Sequence, residues 1–213
     1  MGNLAGKRIL FLGSSVTYGH FAEGISFADI IAERTGMIAV KEAVSGTTLV
    51  DEFCQRAFEN HGDGRSYIAR MEALDKAQHF DAVVVQLSTN DATQGKTLGE
   101  LGTSFDSADF DKLTITGAME YIIAYAKETW NCPVFFYSGA YFEHPGYIAM
   151  ADRMLEIADK WGIGVIDLFH DKDFNNIDKA LYDEYMHDPV HPFYKGYAEW
   201  WAPYIQSHLE ELI

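Results

Sequence analysis

The sequence predicts an α/β fold, a three-layer α/β/α sandwich built on a five-stranded parallel sheet. Three observations carry that expectation. Short apolar runs alternate with stretches of helical periodicity along the chain, the pattern of a parallel sheet covered on both faces by helices. The 213 residues, 48% hydrophobic and 14% aromatic, are enough for one well-buried core, so a single domain over 1–213 is expected. No repeat, low-complexity tract or linker-like Pro/Ser/Gly segment interrupts the alternation.

Arg8–Gly13 reads as the first strand, since the apolar run Ile9-Leu10-Phe11-Leu12 ends on glycine and is too short for the apolar region of a secretory leader. Phe27, Ile30 and Ile31 mark a helix begun by a Ser26 cap and closed by Gly36. Ile38–Ala43 is the second strand, and Tyr67, Met71 and Leu74 indicate a further helix. Residues 82–87 form the third strand, 133–138 the fourth and 165–168 the fifth. Met119, Ile122, Ile123 and Ala126 recur at three and four before the fourth strand, and Ile148, Met154, Leu155 and Ala158 follow it more loosely. Tyr197, Trp200, Trp201, Tyr204, Ile205, His208, Leu209 and Leu212 describe a last helix. Pro203 lies inside it, so a kink or break is expected near Glu199.

Residues 93–116 fall outside this alternation. The stretch is rich in Gly, Ser, Thr and Asp and leaves the carboxyl end of the third strand, the rim where open α/β sheets bind their ligands. A partial lid is the functional reading, and a mobile surface excursion the plain one.

A formal net charge of −16 and a pI near 4.7 deny the chain the cationic footprint that nucleic acids and anionic membranes require. Neutral or cationic small molecules suit it better. No apolar stretch approaches the ~18 residues that span a bilayer. The two cysteines, Cys54 and Cys132, lack CxxC spacing, which fits a reduced, cytoplasmic protein.

Four segments carry chemistry. Asp188-Pro189-Val190-His191 sets an aspartate three residues before a histidine on a turn, where it can accept the imidazole Nδ1–H and leave Nε2 to take a proton. Gly13-Ser14-Ser15-Val16-Thr17-Tyr18-Gly19 follows the first strand; it is neither a nucleophile elbow, which needs glycine at Thr17, nor a Walker phosphate loop. Val44-Ser45-Gly46-Thr47-Thr48 ends the second strand, and its glycine lets backbone N–H approach a ligand. Gln86-Leu87-Ser88-Thr89-Asn90-Asp91 leaves the third strand with a side-chain amide able to donate to an oxyanion. Alone, the segments after the first and third strands are more often plain turns, and the one after the second is as naturally a turn as a ligand contact.

In this order, and after these strands, the segments resemble the conserved blocks of the SGNH, or GDSL-type, hydrolase family. The family's Gly-Asp-Ser-x-Thr-x-Gly falls on Gly13 to Gly19, with Ser15 at the nucleophile position. Gly46 falls on the second block's glycine, Asn90 on the third block's asparagine, and Asp188 with His191 on the final Asp-x-x-His. The chain departs from the pattern at Ser14, where aspartate is common, at Ser88, near the usual glycine, and at Lys41, near a frequent asparagine.

The resemblance implies a flavodoxin-like topology and a serine esterase without cofactor. Ser15 would attack an ester carbonyl, His191 would take its proton, and Asp188 would steady the imidazolium. The oxyanion would meet the amides of Ser15 and Gly46 and the Asn90 side chain. With histidine as base, activity should decline as pH falls through about 6.5. The residue chemistry keeps a metal reading open, through His187, Asp188 and His191 with the scattered His144 and His170, although Asp188-Pro189 favours a turn over the helix that would converge such ligands. His20, His61, His79 and His208 read as solvated or locally bonded.

Substrate choice is less defined. Tyr18, Tyr141 and Phe142 are the candidate substrate-binding residues, and His20, Phe21, His144 and Tyr147 also follow the first and fourth strands. A small-acyl or carbohydrate O-acetyl ester is the expected substrate. A lysophospholipid or thioester is the alternative within the family, and a non-catalytic ligand-binding module on the same layout is the alternative outside it.

Overall fold

The computed structural model describes residues 4–213. Its centre is a five-stranded, all-parallel sheet of order β2-β1-β3-β4-β5. The strands are β1 (Arg8–Gly13), β2 (Ile38–Ala43), β3 (Ala82–Gln86), β4 (Val134–Tyr137) and β5 (Gly164–Ile166). All five fall where the apolar runs predict them, β1 and β2 to the residue and β3, β4 and β5 with ends displaced by one or two residues. β3 lies between β1 and β4, buried along its whole length, which is why it reads as an unbroken Ala-Val-Val-Val run.

The helices are α1 (Ser15–Tyr18), α2 (Phe27–Thr35), α3 (Gln55–His61), α4 (Tyr67–Glu72), α5 (Thr89–Thr93), α6 (Ile115–Trp130), α7 (Pro145–Trp161), α8 (Lys179–Tyr185), α9 (Tyr194–Gly196) and α10 (Ala202–Leu212). Alternation along the strands sends side chains to two cores. Leu10, Leu12, Val83, Val85 and Phe136 pack with α4, α6 and α7, whereas Ile9, Phe11, Val84, Phe135 and Tyr137 pack with α2 and α10. The expected three layers result.

Local signals in the sequence operate as written. Ser26 accepts from the Ala28 amide and its own amide donates to Asp29, a capping box at the head of α2, while Gly36 closes that helix at a φ of 78°. Pro203 has no N–H to offer Glu199, and the chain crosses this point through a π-turn over Tyr197–Trp201 before α10 continues. The break expected near Glu199 therefore takes the form of a widened turn.

Residues 93–116 require a correction. Thr93 and Gln94 face the cavity described below, but the remainder turns away from the rim. Thr97 and Leu98 accept from the amides of Ile115 and Thr116, Leu98, Leu101 and Phe110 pack on the core, and Phe105 lies edge-on to Trp161 at 4.9 Å. Lys160 donates to the Ser104 carbonyl at 2.6 Å and Ser107 to Glu128. The segment is a strap across the ends of α6 and α7, held by partly buried apolar contacts and hydrogen bonds, and not a lid.

Candidate active site

β1 is flanked by β2 and β3, so the chain leaves their carboxyl ends in different directions and opens a crevice there. Ser15 begins α1 at this point. The preceding turn is tight: a Cβ on Gly13 would lie 1.8 Å from Thr17 Oγ1. Gln86, at the end of β3, clamps the turn by accepting from the amides of Ser14 (2.9 Å) and Thr17 (3.2 Å) and from the Thr17 hydroxyl (2.8 Å). Ser14 is fully buried, whereas Ser15 lines the cavity.

The Asp188–His191 turn is built locally. Asp188 Oδ1 accepts from the amides of Val190 (2.8 Å) and His191 (2.9 Å), folding the carboxylate back toward the imidazole, whose Nδ1 lies 2.8 Å from Oδ2. Two backbone bonds across the loop base, His187 N–H to the His191 carbonyl and Phe193 N–H to the Tyr185 carbonyl, fasten it. His191 Nε2 then lies 2.8 Å from Ser15 Oγ, across 176 residues of chain. Burial alone would raise the Asp188 carboxyl, but the Val190 amide and the bond and charge of His191 together hold it below the usual range.

Gly46 adopts a φ of 85°, a left-handed turn that suits glycine. Its amide and that of Ser15 have no acceptor among the described residues. Asn90, on α5, donates one Nδ2 hydrogen to the Thr47 carbonyl at 2.9 Å, leaving the other available to the cavity. Asp91, fully buried, accepts from the amides of Leu49 (2.8 Å) and Val50 (3.0 Å), tying α5 to the loop after β2. Beneath these loops the buried Arg70 donates to the Gly13 carbonyl at 2.8 Å and the Thr47 hydroxyl at 3.1 Å.

Ser15, Gly46, Asn90, Asp188 and His191 line one cavity of about 790 Å³. Its other walls come from His20, Phe21 and Ser45 and from α3, which contributes Arg56, Ala57, Asn60 and His61. His20 bonds to Ser45 at 3.1 Å; burial, and then the neighbouring imidazoles of His191, His61 and His187, keep it below the ordinary histidine value. Phe21 stacks on His187 with ring centres 3.6 Å apart. Lys41 anchors this loop through the carbonyls of Tyr18 and Gly24 and the Asp29 carboxylate.

Tyr18, Tyr141 and Phe142 do not line this cavity. Tyr18 points outward beside Lys41 and is 44% exposed. The Tyr141 amide bonds to Asn175 beyond β5, which draws the loop after β4 away; its ring covers Phe169 in a separate depression. Phe142 packs on the buried Tyr147. His144 caps α7 by accepting from the Tyr147 amide. The α3 wall is what sequence reading missed: Gln55–His61 has little apolar periodicity, and the glycine that closes it, Gly62, is its clearest signal. Among the described residues no group of three His, Cys, Asp or Glu is arranged to hold a metal ion.

A hydroxyl, an imidazole and a carboxylate in series, lining one cavity with Gly46 and Asn90, are the groups acyl transfer uses. Residues 11–199 match the model of the GDSL-like lipase/acylhydrolase family. The chain belongs to that family. Its fold is shared by a Lactobacillus plantarum protein at 20% identity and TM-score 0.77, covering 98% of this chain and 99% of that one. A Bacteroides ovatus protein named as a GDSL-like lipase is 20% identical at TM-score 0.67, covering 96% and 98%. A family two carbohydrate esterase from Clostridium thermocellum, in complex with cellohexaose, is 16% identical at TM-score 0.62, covering 97% of this chain and 64% of that one. The sequence has no match among curated proteins.

Proposed function

We propose that this member of the family is a single-domain serine esterase that hydrolyses a small-acyl carboxylic ester, such as a carbohydrate O-acetyl group, through an acyl-enzyme. The reading rests above all on the continuous series from Ser15 Oγ through His191 to Asp188, with 2.8 Å at each step. Ser15 Oγ attacks the carbonyl carbon as its proton passes to His191 Nε2. The oxyanion accepts from the amides of Ser15 and Gly46 and from Asn90 Nδ2. Collapse of the tetrahedral intermediate expels the alcohol, which takes the proton from His191, and leaves Ser15 acylated. Water, deprotonated by His191, then attacks the acyl group, and a second collapse returns the hydroxyl and releases the acid.

The cavity walls support a hydrophilic substrate, since Ser45, Asn60, His61, Thr93 and Gln94 offer hydrogen bonds and only Phe21 and Ala57 are apolar side chains. A carbohydrate esterase is among the proteins that share the fold. Labelling of Ser15 by a fluorophosphonate, together with rates on nitrophenyl esters from acetate to palmitate and on an acetylated sugar, tests the reading. Labelling with a short-acyl preference is expected; no labelling, or a preference for palmitate, would overturn it.

The same reading makes the protein a cofactor-free enzyme of a reducing, cytoplasmic compartment, supported by two unpaired cysteines. Its partner is a small-molecule ester and not a nucleic acid or membrane; among the described residues no helix is long and apolar enough to cross a bilayer.

A further inference from the structure

One wall of the cavity carries a permanent positive charge without a counter-ion. Arg56, the second residue of α3, lines the cavity, and its guanidinium has no ion pair or hydrogen bond among the described residues. Other basic side chains around the site are engaged: Lys41 with Asp29, Lys96 with Glu52 and Arg65 with Asp63. The carboxylates near α3 in the chain are occupied as well, Glu52 and Asp63 by those cations and Glu59 by Gln55. Asp188, the one carboxylate lining the cavity, is committed to His191.

The backbone that carries Arg56 is also held in a defined place, while its side chain is exposed. Ala57, the next residue, is buried against Gly46, so α3 is fastened to the loop that offers the Gly46 amide. The Arg56 carbonyl accepts from Asn60 Nδ2 at 2.8 Å, which aligns Asn60 one turn further along the same wall. An unpaired guanidinium rooted at the cavity wall, with the Asn60 side chain one turn along, is suited to bidentate recognition of a carboxylate.

We infer that Arg56 selects esters carrying a carboxylate, which the guanidinium holds while the ester carbonyl sits at Ser15. The inference rests on the esterase reading and narrows its substrate class. It runs against the net charge of −16, which suggests neutral or cationic partners. Net charge acts at long range, however, and at physiological ionic strength it is screened beyond about 8 Å, whereas the guanidinium acts in contact. The carboxylate can belong to the acyl group or to the alcohol.

Two matched pairs of esters separate these sources. 4-Nitrophenyl hemiglutarate against 4-nitrophenyl pentanoate places the carboxylate on the acyl side, and 4-acetoxybenzoate against 4-acetoxybenzamide places it on the alcohol side. In at least one pair the native enzyme should favour the anionic member by about tenfold in kcat/KM, the scale of one charge-assisted hydrogen bond. Arg56→Gln should bring that ratio close to one, and Arg56→Lys should retain part of it. Because each ratio is taken on one preparation, partial misfolding of a variant cancels. Ratios near one in both pairs for the native enzyme, or a preference that survives Arg56→Gln, would overturn the inference. Should no ester be hydrolysed, the esterase reading falls on its own. Calorimetric titration of Ser15→Ala with the same four esters then decides the inference: Arg56-dependent tighter binding of an anionic member supports it, and equal binding overturns it.

Discussion

Arg70 Nη2 donates to the carbonyl of Gly13 at 2.8 Å, placing a buried guanidinium directly behind the turn that presents Ser15. The same nitrogen reaches the Thr47 hydroxyl, next to Gly46, while Nε and Nη1 have no hydrogen-bond partner among the described residues. Burial lowers the pKa of this guanidinium, which lies 5.3 Å from the centre of the Tyr67 ring. Arg70→Met removes a costly buried ion but strands two acceptors, so the effects on stability oppose and the net change should stay within about 2 kcal/mol. The brace on two loops is lost, and kcat should fall roughly 10–100-fold. Thermal unfolding beside steady-state kinetics checks this; a full kcat would show that the turn holds its shape unaided.

The two adjacent serines should behave oppositely. Ser15→Ala abolishes ester hydrolysis and fluorophosphonate labelling, since it removes the hydroxyl bonded to His191. Ser14→Ala keeps both, because Ser14 is enclosed and does not reach the cavity. Retained turnover in Ser15→Ala would defeat the assignment.

Asn90→Ala should lower kcat by about 10²–10³-fold, the cost of one oxyanion donor. KM for a small ester should move little, since the bond strengthens only as the carbonyl oxygen gains charge. An equal loss in ground-state binding would instead make Asn90 a substrate anchor.

Burial raises the Asp91 carboxyl to about 6, above its unfolded value of 3.8. A folded pKa above the unfolded one means that the native state binds this proton more tightly. The contribution is therefore fully favourable below about pH 4 and is lost as pH rises through about 6, by up to about 3 kcal/mol. Asp91→Asn lacks this titration. The stability of the native protein relative to that variant should thus increase as pH is lowered from 7 to 4, which denaturant unfolding at several pH values measures. A flat difference would mean that Asp91 ionises freely where it stands.

The strands and the Asp188–His191 turn could be read directly because their causes are local. A strand buried on both faces must be an apolar run, and an aspartate three residues before a histidine closes its turn with bonds inside the same segment. Ser15, Gly46 and Asn90 became visible through their order after successive strands, since a parallel sheet carries those loop starts to one edge. The strap at 93–116 was misread because its polar composition hides Leu98, Leu101, Phe105 and Phe110, which are spaced irregularly and find their partners on α6 and α7.

By itself the amino-acid order determined the layered architecture, the helix caps and the motif residues. Tertiary structure alone decided that Gln86 and Arg70 brace the Ser15 turn, that α3 brings Arg56 to the cavity, and that Tyr141 faces elsewhere. Hydrophobic periodicity records which side chains must leave water. It says nothing of where a polar side chain will point, and the bonds from Gln86 and Arg70 to that turn span 72 and 57 residues.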